Sequence, residues 1–112
     1  MGKFDGKLLV SDMDATLFNS KREVSEENYN AIKCFTSEGG KFSVASGRMI
    51  AAVRNFVDEI GINAPAITYN GAQMYSFEND VLLYERNIEE ERKTAIRKVY
   101  ETQPQFGLEV YS

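Results

Sequence analysis

An α/β fold on a parallel sheet is what this sequence predicts, and three observations carry the prediction. Three short apolar runs, residues 7–11, 42–45 and 66–69, have the length of buried strands. Two stretches between them place apolar residues at helical spacing. The resulting strand–helix–strand–helix–strand order argues for parallel strands joined by right-handed crossovers.

Each element has its own signals. Residues 17–24 form a polar connection after the first strand. Ser25 is placed to cap a helix, and Glu26 and Glu27 suit the positive end of its dipole. Tyr29, Ile32 and Phe35, with Ala31 and Cys34 beside them, make an apolar stripe that Gly39-Gly40 ends. After the second strand, Met49, Ile50, Val53, Phe56, Val57 and Ile60 fit one helical face, and Gly61 ends it. The third strand closes at Asn70-Gly71. Residues 72–76 and 81–84 then read as a hairpin turning at Glu78-Asn79-Asp80. Asn87, with Glu90 three residues on, resembles a capping box. It opens a helix carrying Ile88, Ala95, Ile96, Val99 and Tyr100, which ends at Gln103-Pro104. Residues 107–111 form a last strand-like run. The aromatics Tyr29, Phe35, Phe42, Phe56 and Phe77 are read as core or hairpin packing.

Composition narrows the function. The 112 residues are 43% hydrophobic and 27% charged, as in ordinary globular proteins. The net charge of −4 and the lack of a basic tract argue against a nucleic-acid surface. No apolar stretch approaches the roughly 18–20 residues that span a bilayer, and residues 1–5 lack the apolar region of a secretory signal. The chain has no histidine, which excludes Ser-His-Asp triads and histidine zinc sites. The lone Cys34 reads as a small core residue of a reducing compartment, the cytoplasm.

Chemistry concentrates at the ends of the strands. Asp12 and Asp14 stand one residue apart at the end of an apolar run, where burying charge is expensive unless it binds or reacts. Alternation sends both carboxylates to one face and Met13 to the other. Two convergent oxygen groups suit Mg²⁺, or the nucleophile and proton donor of a group transfer; a turn or helix cap is the plainer role. Thr16 suits a local hydroxyl–backbone bond that holds the loop. In Ser46-Gly47-Arg48, a serine and a glycine precede a helix, a ready anion site in which Ser46 donates and Gly47 lets the ligand approach; the plain role of Ser46 is a helix cap. Arg48 suits either a phosphate or a surface carboxylate. Asn70-Gly71 is a turn, at the same sheet end and so in a position to line a site. Open α/β sheets bind ligands at the carboxyl ends of their strands. A metal-neutralised phosphate between Asp12, Asp14 and Ser46 has the charge arrangement of phosphoryl transfer.

These residues resemble the haloacid dehalogenase-like (HAD) hydrolase superfamily, closest to its Cof-type branch. Its first motif, an apolar strand followed by D-x-D-G-T-L, stands here as Asp12-Met13-Asp14-Ala15-Thr16-Leu17. Its second, a strand ending in Thr or Ser with Gly-Arg after it, stands as Ser46-Gly47-Arg48. The Asn-Gly-Ala common in that branch stands as Asn70-Gly71-Ala72. The resemblance implies a Rossmann-like sheet forming the first half of a HAD core over residues 1–85, with a hairpin, and the start of an α+β cap over residues 86–112. It implies a Mg²⁺-dependent phosphatase acting on sugar phosphates or similar small phosphometabolites through an aspartyl-phosphate. Asp12 would be the nucleophile and Asp14 the acid and then base. The Asp12 carboxylate and the Asp14 carbonyl would hold Mg²⁺, and Ser46, Gly47, Thr16 and Arg48 would surround the phosphate.

Two departures matter. Ala15 replaces the usual Gly and restricts backbone φ. The family's later Lys and acidic metal ligands are not found within the 112 residues, so an amino-terminal part of a longer protein is expected, inactive alone, with an open sheet edge prone to self-association. A non-catalytic phosphate- or metal-binding module completed by a partner is the alternative.

Overall fold

A computed structural model describes residues 2–110. The sheet has five strands in sequence order: β1 (Leu8–Asp12), β2 (Lys41–Ala45), β3 (Ala66–Thr68), β4 (Gln73–Ser76) and β5 (Val81–Glu85). β1, β2 and β3 are parallel, and β4 and β5 return antiparallel as a hairpin. The α/β class and the parallel start agree with the sequence. The helices are α1 (Glu26–Ser37), α2 (Ile50–Arg54), α3 (Val57–Ile60) and α4 (Glu90–Thr102).

The core lies on one side of the parallel strands. Met13, Phe18, Phe42, Val44, Val53, Ile60 and Ala66 are buried there, with Leu17, Ile32 and Ile62 beside them. Ser43, between Phe42 and Val44 on β2 and so on the other face, is buried too; its hydroxyl donates to the Pro65 carbonyl at 2.8 Å, which removes the penalty of an unpaired polar group. Asn63 ties two segments together: its Oδ1 accepts from the Phe42 N–H at 2.7 Å and its Nδ2 donates to the Gly40 carbonyl at 3.3 Å.

Several expectations need correction. The predicted helix from 49 to 60 is two helices. Phe56 breaks it at φ −111, ψ −1, the bridge region, and so swings its ring to 5.0 Å from that of Phe18. Tyr69 does not extend β3; it opens a turn over Tyr69–Gly71. The cap of α4 is Glu89, not Asn87, and makes no side-chain cap bond. Residues 107–110 pair with no strand, and Tyr111 lies outside the described residues.

Cys34 is exposed, and Tyr29 and Ala31 are exposed with it. Cys34 and Ala31 face an apolar groove of about 740 Å³ along β1 that no described residue fills. β1 is the sheet edge, and Leu8, Leu9 and Val10 are exposed there. α4 likewise buries none of its residues; Val99 is 65% exposed. The radius of gyration, 17.4 Å, exceeds the about 13 Å of a compact domain of this length.

Candidate active site

The carboxyl ends of β1 and β2 are level. The parallel register sets Asp12 against Ala45, so Asp12 lies beside the residue that precedes Ser46. Met13 is buried and the two aspartates flanking it are exposed, as the alternation requires. The chain then turns over Met13–Leu17, closed by the Phe18 N–H donating to the Met13 carbonyl at 2.9 Å. This turn requires Ala15 at φ +60, ψ +8, in the left-handed region. A β-carbon there costs roughly 1–2 kcal/mol, which is the penalty of carrying alanine at this position.

The turn fixes the Asp12 carboxylate. Its Oδ1 accepts from the Met13 N–H at 2.9 Å and its Oδ2 from the Thr16 hydroxyl at 3.2 Å. Thr16 therefore orients Asp12. Its hydroxyl bonds a side chain rather than the backbone bond that its sequence position suggested.

Asp14 has a different partner. Arg48 grips it with both prongs of its guanidinium, Nη2 to Oδ1 at 2.7 Å and Nε to Oδ2 at 3.0 Å. Arg48 is itself positioned by Phe18 and Phe56, whose ring centroids lie 5.4 Å and 5.3 Å from its guanidinium carbon. The bidentate bond to Arg48 holds the Asp14 carboxyl below its usual range against a smaller opposing effect of burial, with Arg22 helping; Asp14 in turn raises Arg48. The choice the sequence left open for Arg48 falls to a carboxylate. Phe18 and Phe56 were not read as site residues: Phe56 carried only a helical-face signal, and Phe18 none.

Ser46 is 5% exposed, and its Oγ accepts from the Arg48 N–H at 3.0 Å. It is not a helix cap. α2 starts at Ile50 behind Met49, and five residues carry little dipole. Any anion held here is held by the loop at 46–48, with the Ser46 proton left to donate. Asp12, Ser46, Gly47, Asn70 and Gly71 line one cavity of about 230 Å³. The loop is tied to the third strand by Ser46 N–H to the Ile67 carbonyl at 2.9 Å, and to the following turn by Asn70 N–H to the Ser46 carbonyl at 3.0 Å. All eight predicted site residues thus fall at one rim of the sheet: Asp12, Ser46, Gly47, Asn70 and Gly71 line the cavity, Thr16 is bonded to Asp12, and Asp14 is joined to Arg48 beside Ser46.

The donors here are oxygens of the hard, anionic kind that Mg²⁺ takes. The Asp12 carboxylate and the Asp14 main-chain carbonyl are of the donor type such a shell takes. The Asp14 carboxylate is committed to Arg48. Among the described residues no group of three or more His, Cys, Asp or Glu side chains is placed to complete it.

Comparison with known proteins gives the family and the fold. A family profile for haloacid dehalogenase-like hydrolases matches residues 9–112. The chain is 35% identical over 79 residues to phosphatase YwpJ of Bacillus subtilis, covering 70% of this chain and 28% of that protein. It is 31% identical over 71 residues to the 5-amino-6-(5-phospho-D-ribitylamino)uracil phosphatase YcsE of the same organism, covering 63% of this chain and 28% of that protein. A solved haloacid dehalogenase-like hydrolase from B. subtilis superposes with a TM-score of 0.74 at 33% identity, over 88% of this chain and 34% of that one. The chain thus spans about a third of the length of these relatives. No helix among the described residues is long and apolar enough to cross a membrane.

Proposed function

The chain belongs to the haloacid dehalogenase-like hydrolases, and from that premise we propose that the protein carrying it is a Mg²⁺-dependent phosphatase of small phosphorylated metabolites, sugar phosphates among them. The observation that carries this reading is the shared cavity of Asp12 and Ser46. It sets a carboxylate nucleophile beside a hydroxyl donor, the two groups that a phosphate ester needs at its phosphorus and at its oxygens. The name of one relative, a phosphatase of a phosphoribityl compound, supports this substrate class.

In this reading Asp12 attacks phosphorus, and the leaving alcohol departs with a proton from Asp14. Thr16 and the Met13 N–H hold the attacking carboxylate in place. Ser46 and Gly47 receive the phosphate oxygens. Arg48 has two tasks. With no phosphate bound its fork occupies both Asp14 carboxylate oxygens and lowers that carboxyl's affinity for a proton. An incoming phosphate competes for the same guanidinium fork, and Asp14 is then free to take up a proton and deliver it to the leaving group. The Asp12 carboxylate and the Asp14 carbonyl would hold Mg²⁺, which would supply charge neutralisation of the phosphate.

On this reading residues 1–85 belong to the first half of the catalytic core and 86–112 to the opening of a cap, and the remaining metal ligands and a lysine would be supplied from outside these residues, the chain spanning about a third of its relatives' length. The free thiol of Cys34 fits the reducing cytoplasm. Phosphate release from a panel of sugar phosphates by the full-length protein tests the reading. Asp12→Asn is expected to reduce kcat at least a thousandfold with Mg²⁺ present, in keeping with the loss of a catalytic nucleophile. Turnover within tenfold of the unmodified protein would refute the assignment.

A further inference from the structure

We propose that the side-chain amide of Asn70 reads the leaving group, by hydrogen bonding a hydroxyl on the alcohol half of a phosphate monoester. The inference rests on the phosphatase reading above and adds the residue that selects the substrate.

Asn70 stands where two cavities meet. The small cavity holds Asp12 and Ser46. A larger groove of about 310 Å³ runs away from it past Gln73, Glu85, Arg86 and Asn87, and the two share Gly47 and Asn70 as lining. A ligand with its phosphate over Asp12 extends its remaining atoms into the groove past Asn70. One side of the groove offers amides, a carboxylate and a guanidinium, and Ile88, Ile96, Leu108 and Val110 make the rest of it apolar. The polar side suits hydroxyls, which both donate and accept, better than a second anionic group.

Three features set the amide in this place. Tyr69, Asn70 and Gly71 run consecutively at positive φ, +49, +56 and +99, a strained conformation of the kind retained at ligand sites. The bond from the Asn70 N–H to the Ser46 carbonyl, 3.0 Å, ties that turn to the phosphate loop. Gly47 gives the amide room: a β-carbon on residue 47 would meet Asn70 Oδ1 at 2.9 Å and Nδ2 at 3.1 Å. Asn70 is exposed, and its side-chain amide bonds no side chain or backbone group among the described residues, so its donors and acceptor face solvent and are open to a ligand.

The test uses the full-length protein and the ratio of kcat/KM between hydroxylated esters (glucose 6-phosphate, ribose 5-phosphate, glycerol 3-phosphate) and phenyl phosphate, which has no hydroxyl. Asn70→Gly removes the amide at a φ that glycine adopts freely, so the turn is kept. The ratio for the best hydroxylated ester is expected to fall about five- to tenfold, the loss of one hydrogen bond, expressed mainly in KM. Gly47→Ala displaces the amide and should lower the ratio in the same direction. The double variant should fall no further than Asn70→Gly alone, because both changes remove one interaction. A ratio unchanged in Asn70→Gly, independent effects of the two substitutions, or turnover confined to phenyl phosphate would overturn the role of Asn70. An unmodified protein that releases phosphate from none of these esters would instead overturn the phosphatase reading, and this inference with it.

Discussion

The rim of the sheet around Asp12 and the helix α4 are built by opposite means. At the rim, side chains far apart in sequence hold one another: Arg48 reaches Asp14 across 34 residues, and Phe18 and Phe56 close on the same guanidinium. α4 relies on neighbours in its own turns, Lys93 with Glu90 at 2.8 Å and Arg92 with Glu89 at 3.8 Å. Exposed pairs of this kind contribute little to stability. Rim geometry is therefore set by tertiary packing, whereas α4 shows an apolar face that no described residue covers. The same contrast separates β2, where Phe42 and Val44 are buried, from the edge strand β1, where Leu8 to Val10 are open.

Substitutions sharpen this contrast, the largest effect coming from the core beneath the rim. Phe42→Ala removes a ring that is 1% exposed and should lower unfolding free energy by about 3–5 kcal/mol in urea denaturation. A loss below about 1 kcal/mol would mean that β2 is not packed as described. Ala15→Gly comes next. It relieves the left-handed strain at φ +60 and adds flexibility to the unfolded chain, for a net gain of about 0.5–1 kcal/mol; a loss of stability would show that the turn at Asp14 has another shape. Val99→Ala on α4 should be smallest, within about 0.5 kcal/mol in the 112-residue polypeptide. A cost above about 1 kcal/mol there would place α4 in a packed environment and remove the contrast.

The same division governs what could be read from the sequence. The aspartate pair and the strand order were legible because both are local: an apolar run, a two-residue spacing, and a helical period between strands. Met13 buried between exposed Asp12 and Asp14 follows from alternation alone. The partner of Arg48 was not legible, since nothing near residue 48 marks a carboxylate 34 positions earlier. The break at Phe56 was hidden because neither Gly nor Pro announces it; the ring turns toward Phe18 and Arg48 for tertiary reasons. Of the stripe with Cys34, Ile32 is buried and Phe35 packs against the core, whereas Tyr29, Ala31 and Cys34 are exposed; α4 shares an apolar face of which no residue is buried. Periodicity states which residues share a side of a helix, and only the folded chain states what covers that side.

The central claim is that Asp12 is the group to which phosphate is transferred. The most direct measurement is acid quench of the full-length protein during turnover of a sugar phosphate, followed by mass spectrometry of the peptide that carries residues 8–21. The account predicts one phosphoryl group on Asp12, absent from the Asp12→Asn variant. A phosphoryl group on Asp14 or Ser46 instead, in a protein that is turning over, would contradict it.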